Sequence, residues 1–179
     1  MNLLDAILKE INEVVSKVDE QSLADAAEYI TNERRVFVVG EGRSGLMAKG
    51  FAMRLMHLGY EVYVVGETIT PAIKENDVVV AVSGSGKSAN VVSDAKKAKE
   101  KGARVLAFTS NLESELARGA DASVLVPGTI RGDQGDNRKS IQLLSSLFDQ
   151  SVHIVLDGLC LYLSKRDGVS NDSATRKHW

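Results

Sequence analysis

A chain of 179 residues, 44% apolar and 26% charged, is long enough to bury one hydrophobic core and reads as a single domain over 1–179. Its formal net charge of -2 offers no basic surface for nucleic acid or anionic lipid. The lone cysteine, Cys160, excludes an internal disulfide, and no apolar run approaches the ~18 residues of a membrane span, so a cytoplasmic protein is expected.

Leu4, Ile7, Leu8, Ile11, Val14, Val15 and Val18 recur every three or four residues, the spacing of a helix with one apolar face. The same amphipathic pattern separates the N-terminus from a signal peptide. Asp19 is placed to cap a second helix to about Thr31, with Leu23, Ala26, Ala27 and Ile30 inward. The period then changes. Arg35 to Val39 (RVFVV) is a β-rich run, followed by the turn GEGRSG and a helical stretch from about Leu46 to Leu58. Glu61 to Val65 (EVYVV) and Val78 to Val82 (VVVAV) give a second and a third strand. SGSGKS follows the third and opens a helix from about Ser88 to Lys101. Arg104 to Phe108 and Ser123 to Val126 complete the strands, with a short helix between them from about Glu113. Val-rich runs without alternation are expected to be buried on both faces, and helices lie between most of them. The expected fold is therefore a three-layer α/β sandwich with a five-stranded parallel sheet, in the flavodoxin-like order 2-1-3-4-5. Residues 127–139 (PGTIRGDQGDNRK) read as a polar, glycine-rich loop suited to a lid. Residues 140–165 read as one long helix, apolar on nearly every side between Val152 and Leu163, and such a helix calls for cover from another subunit.

GEGRSG (Gly40 to Gly45) and SGSGKS (Ser83 to Ser88) each follow a strand and open a helix, which puts both at the carboxyl edge of a parallel sheet. There the glycines at 40, 42, 45, 84 and 86 allow close backbone approach, and the helix N-termini supply free N–H groups and partial positive charge. Ser44, Ser83, Ser85 and Ser88 add hydroxyl donors, and Arg43 and Lys87 add charge. That chemistry suits a phosphate. A dinucleotide fold competes, because GEGRSG also matches G-x-G-x-x-G and Glu67 stands past the second strand. It leaves SGSGKS without a role and the chain without a second domain; SGSGKS itself lacks the Walker spacing.

The pair GRSG and SGSGKS resembles the sugar isomerase (SIS) phosphosugar-binding domain. RVFVVGEGRSGLMAKGFAMRLMHLG, with Ser140 to Gln142 (SIQ) and Ser146 to Gln150 (SLFDQ), is similar to the 6-phospho-3-hexuloisomerases along nearly the whole chain. The resemblance implies interconversion of 3-hexulose 6-phosphate and fructose 6-phosphate, in a pathway of formaldehyde fixation or pentose synthesis, by a homotetramer. It implies that Arg43, Ser44, Ser83, Gly84, Ser85, Gly86, Lys87 and Ser88 hold the phosphate end of the sugar. The family's catalytic glutamate falls in its SLFEQ-like segment, where this chain has Asp149. The family ends near R-H-A-N-L, and the match here is Arg176, Lys177, His178 and Trp179.

Moving a carbonyl from C3 to C2 requires loss of the C2 proton, an enediol, and a proton returned to C3. One carboxylate serves for both transfers, and neither a metal nor a redox cofactor is required. Asp149 alone reads as a solvated helix charge; the resemblance makes it the base. His178 is the candidate acid for opening the sugar ring, reaching a neighbouring subunit's crevice. His57 ends a helix and reads as packing or as a site residue, and His153 as structural or interfacial. A pentose or heptose phosphate isomerase, or a non-catalytic sugar-phosphate sensor, uses the same loops.

Overall fold

The computed structural model describes residues 2–179. α1 (Leu3–Val15) and α2 (Glu20–Ala27) are capped by Asn2 and Asp19, which accept the Asp5 and Gln21 N–H groups at 2.9 and 3.0 Å. α2 stops short of Thr31 because Arg166 takes the Ala27 and Ile30 carbonyls, each at 2.7 Å, in place of further helical donors. β1 (Val36–Gly40), α3 (Gly42–Leu58), β2 (Val62–Val64), β3 (Val78–Val82), α4 (Ala89–Glu100), β4 (Arg104–Thr109), α5 (Glu115–Gly119) and β5 (Ala122–Leu125) follow. α6 (Ser146–Arg166) and α7 (Asn171–Thr175) close the chain. Every strand pair is parallel and the order is β2-β1-β3-β4-β5, so the sandwich and its sheet order are as the sequence indicates.

Alternate residues of the strands divide the core. Val36, Val38, Val78, Val80, Leu106 and Phe108 face a layer built from α1, α2, α3 and α6. Phe37, Val39, Val79, Ala81, Val105 and Ala107 face α4 and α5. β1, β3 and β4 are buried on both faces; β2 and β5 are not. Each of these two has a neighbour on one side only, and every residue of β2 stays half-buried, which corrects the expectation of five buried strands.

Two helix starts also differ from the sequence reading. α3 begins at Gly42 rather than Leu46, so Arg43 and Ser44 occupy its first turn. Glycine on both sides makes this possible: a Cβ on Gly45 stands 2.6 Å from the Gly40 carbonyl oxygen. α6 begins at Ser146 rather than 140, because Leu144 has φ 52 and interrupts the helix. The loop over residues 127–139 contains a short 3-10 turn, Gly135–Asn137, and presses on the start of α6, where a Cβ on Gly128 meets Phe148 Cα at 2.7 Å. Cys160 is buried, and burial pushes its thiol up to about 12.

Candidate functional site

β1 and β3 are neighbours at the point where the strand order reverses, with Gly40 beside Val82 in register. Their following segments and the start of α6 enclose a crevice of about 530 Å³ at the carboxyl edge of the sheet. Three helices begin there: α3 after Glu41, α4 after Ser88 and α6 after Ser145, and none of these three side chains makes a capping bond. Among the described residues the other four α-helices are capped, by Asn2, Asp19, Ser114 and Ser170. Free N–H groups and the positive ends of three helix dipoles therefore converge on one hollow. That is the chemistry of an anion site.

Asp149 lies in the first turn of α6 and is 2% exposed, so it is not the solvated helix charge its sequence context suggests. Ser44 Oγ, in the first turn of α3, donates to Asp149 Oδ1 at 2.5 Å. Arg43 Nη1 donates to Ser146 Oγ at 2.8 Å and brings its charge close. Burial pushes the Asp149 carboxyl up, against the Ser44 hydrogen bond and the Arg43 charge, which favour the ionised form. A raised carboxyl held in one rotamer at a cleft wall is suited to taking and returning a proton.

Of the sequence candidates, Arg43, Ser44, Gly84, Ser85, Ser88 and Asp149 line this crevice. Ser83 is buried beneath it, bonded to Ser88 Oγ at 3.0 Å and to the Gly86 N–H at 3.1 Å, so its hydroxyl braces the loop. Gly86 has φ +63, and a Cβ there overlaps Ser114 Oγ. Lys87 lines an adjoining hollow of about 810 Å³ that shares Ser85, Ile130 and Gly132 with the crevice.

His57 and His178 are not in this chain's crevice. Thirteen residues separate Ser44 from His57 along α3, or roughly 20 Å at a helical rise of ~1.5 Å per residue. At that far end His57 is 2% exposed, stacks on His178 with ring centroids 5.2 Å apart, and leaves Nε2 without a partner. Burial lowers its pKa, aided by Arg54 and His178, so the imidazole is neutral. His153 is exposed and lies 3.6 Å from Asp157 one turn on.

Sequence reasoning missed Glu41, Arg131, Leu144 and Ser145, which complete the crevice wall, and Ser110, Asn111 and Thr129 in the adjoining hollow. A signal existed for two of the second group: Ser110 and Asn111 directly follow β4 at the same sheet edge that drew attention to the two glycine-rich loops. Glu41 is held by Asn90 Nδ2 at 2.5 Å, and Arg131 by its N–H to Ser145 Oγ at 2.9 Å. Neither arrangement has a local pattern.

Residues 29–153 match the model of the SIS domain. The chain is 40% identical over 177 residues to the 3-hexulose-6-phosphate isomerase of Mycobacterium gastri, covering 99% of this chain and 88% of that one. With the Bacillus subtilis 3-hexulose-6-phosphate isomerase it shares 36% identity over 172 residues, 96% and 93% of the two chains. The crystal structure of a Methanococcus jannaschii protein, from which a 3-hexulose-6-phosphate isomerase function was inferred, superposes with a TM-score of 0.81 at 28% identity, covering 98% of this chain and 97% of that one.

Proposed function

The chain belongs to the SIS-domain family of phosphosugar isomerases, related to the 3-hexulose-6-phosphate isomerases, and we propose that it interconverts 3-hexulose 6-phosphate and fructose 6-phosphate. The observation that carries this reading is the meeting of three uncapped helix N-termini with a buried carboxylate in one crevice. The phosphate takes the free N–H groups, that of Ser44 among them, and the hydroxyls of Ser85 and Ser88, with Arg43 and Lys87 supplying charge. Ser83, Gly84 and Gly86 hold the loop in shape beneath it. The sugar carbons then lie toward Asp149 and the adjoining hollow, whose Ser110, Asn111 and Thr129 suit hydroxyl groups.

Asp149 removes the proton from C2, the C–H electron pair becomes the C2–C3 double bond, and the C3 oxygen takes up the negative charge. The C2 hydroxyl proton passes to the C3 oxygen, the protonated Asp149 returns its proton to C3, and the carbonyl re-forms at C2. Arg43 and Arg131 on the crevice wall stabilise the enediolate. In this scheme His178 serves a neighbouring copy's crevice as the acid that opens the ring, and His57, buried against it, orients its imidazole by stacking.

Assembly as a homotetramer is part of the same proposal. Leu3, Leu4 and Leu8 on α1, Leu46 and Met53 on α3, and Ile154 and Leu161 on α6 are all exposed. These three helices share one layer, which therefore presents apolar rows to a second copy.

An isomerase assay against sugar phosphates of five to seven carbons tests the reading. Turnover is expected with fructose 6-phosphate. Binding of fructose 6-phosphate without turnover indicates a sensor, and turnover confined to a pentose or heptose phosphate reassigns the substrate.

A further inference from the structure

Residues 140–145 (SIQLLS) carry a helical pattern continuous with α6, yet they are not helical. A single carboxylate on another helix grips them. Glu10 of α1 accepts from Ser140 Oγ at 2.7 Å, from the Ile141 N–H at 2.8 Å and from Gln142 Nε2 at 3.1 Å. Burial works to raise the Glu10 pKa, but these bonds and the Arg138 charge outweigh it, so the carboxylate is ionised at neutral pH.

Arg138 completes the hold from the other side. It donates to the Gln142 carbonyl, to the Leu144 carbonyl at 3.2 Å and to the Ile130 carbonyl at 3.4 Å. In a longer α6 the Gln142 carbonyl is the acceptor for the Ser146 N–H, which instead turns back to Leu143 at 3.0 Å. Between the two grips Leu144 has φ 52, a left-handed conformation that costs a leucine on the order of 1–2 kcal/mol and persists only where the surroundings over-determine it.

What the hold secures is the crevice. With α6 starting at Ser146, the Leu147 and Phe148 N–H groups of its first turn stay free and Asp149 sits in that first turn. Leu144 and Ser145 form part of the wall, and Ser145 Oγ accepts the Arg131 N–H from the overlying loop. Extension of the helix back to Ser140 consumes the free N–H groups in intrahelical bonds and withdraws Leu144 and Ser145 from the wall.

We propose that Glu10 is a positioning residue, a latch on α1 that holds residues 140–145 out of α6 and so fixes the wall beside Asp149. The inference rests on the isomerase reading for its kinetic consequence only. Glu10 lines the adjoining hollow but does not bond to Ser44, Ser85 or Ser88, which continue to hold the phosphate when the latch is broken; Arg138 lines neither hollow, so breaking the latch there costs kcat rather than KM.

The test is Glu10→Gln in the full chain, which keeps the shape but turns an amide NH2 toward groups that are themselves donors. Residue-resolved hydrogen exchange reads the helix start. In the wild type the Ile141 amide is protected by Glu10, whereas the Leu144 and Ser145 amides have no hydrogen-bond partner among the described residues. In Glu10→Gln this pattern reverses, kcat falls at least tenfold, and inorganic phosphate still raises Tm. Arg138→Met, at a residue that lines neither hollow, produces the same reversal with KM for the sugar phosphate within threefold of wild type, and serves alone if Glu10→Gln does not fold. A wild-type exchange pattern over 141–145 in both variants, or wild-type kcat in either, overturns the proposal. So does fraying of the segment without new protection at Leu144 and Ser145. A wild type inactive on every sugar phosphate refutes the isomerase reading, and the exchange pattern then judges the latch by itself.

Discussion

Replacing Asp149 by Asn separates the chemical role of the carboxylate from its cost to the fold, and the two effects have opposite signs. The amide keeps the shape and still accepts the Ser44 hydrogen bond through Oδ1, now 2.5 Å long. It cannot take a proton from carbon. Removing a positioned acid–base group costs about 10²–10⁴ in rate, or about 3–5 kcal/mol of barrier. Stability moves the other way. Burial raises the folded-state pKa of Asp149, so its contribution to stability is fully present below the unfolded value and is lost as pH rises through the folded value. At neutral pH the buried charge is therefore a cost, and Asn removes it. Asp149→Asn is expected to be nearly inactive and to melt higher than the wild type at pH 7, where each kcal/mol moves Tm by about 2–4 °C for a chain of this size. The difference shrinks toward acid pH and vanishes below about pH 3–4, where the wild-type carboxyl is protonated in both states. Isomerase assays with paired thermal melts at pH 4 and pH 7 read both. Activity within tenfold of wild type would falsify the assignment of the base. A lower Tm at pH 7 refutes the burial argument.

Ser44→Ala removes the donor that favours the ionised carboxylate, so the acid limb of the kcat/KM–pH profile is expected to move to higher pH; a limb that stays in place means Ser44 does not tune Asp149. Gly45→Ala sets a Cβ 2.6 Å from the Gly40 oxygen and 2.9 Å from its carbonyl carbon, both backbone atoms that cannot rotate away. A loss of roughly 2–3 kcal/mol and a fall in Tm of about 4–12 °C are expected, together with weaker stabilisation by phosphate, and an unchanged melt contradicts the close approach. Light scattering at micromolar concentration is expected to give the mass of an oligomer, and a monomeric mass removes both the tetramer and any cross-subunit role for His178.

Local pattern carried most of the fold. Parallel strands covered by helices on both sides show as short Val-rich runs, and the glycine-rich segments after the first and third runs mark the switch point. The start of α3 was obscured because its first turn is built from residues that also make loops; Gly42 itself has φ +55. The start of α6 was obscured for a different reason. SIQLLSSLFDQ is helical by its own pattern, and what stops it is a carboxylate 131 residues earlier in the chain, at the Ile141 amide. The pairing of Ser44 with Asp149 spans 105 residues and depends on how α3 and α6 pack, which no local signal encodes. Burial of His57 likewise depends on the tail folding back over the end of α3, where a Cβ on Gly59 stands 2.6 Å from Lys177 Nζ.

The features that define the crevice all oppose stability, and they are concentrated there. Three helix N-termini go without a side-chain cap, each forgoing on the order of 1 kcal/mol, while the four helices that start elsewhere are capped. Asp149 is buried as a carboxyl, and Leu144 is held in a left-handed conformation. Two apolar clusters, one on each face of the sheet, offset these costs from a distance. A phosphate ligand reverses part of them directly, since it supplies acceptors for the free N–H groups of α3, α4 and α6 at once. Because only the folded state assembles these three ends, ligand at a hundred times its Kd adds about 2.7 kcal/mol to stability. Filling the caps with protein side chains, as at α1, α2, α5 and α7, removes that dependence on ligand and closes the site.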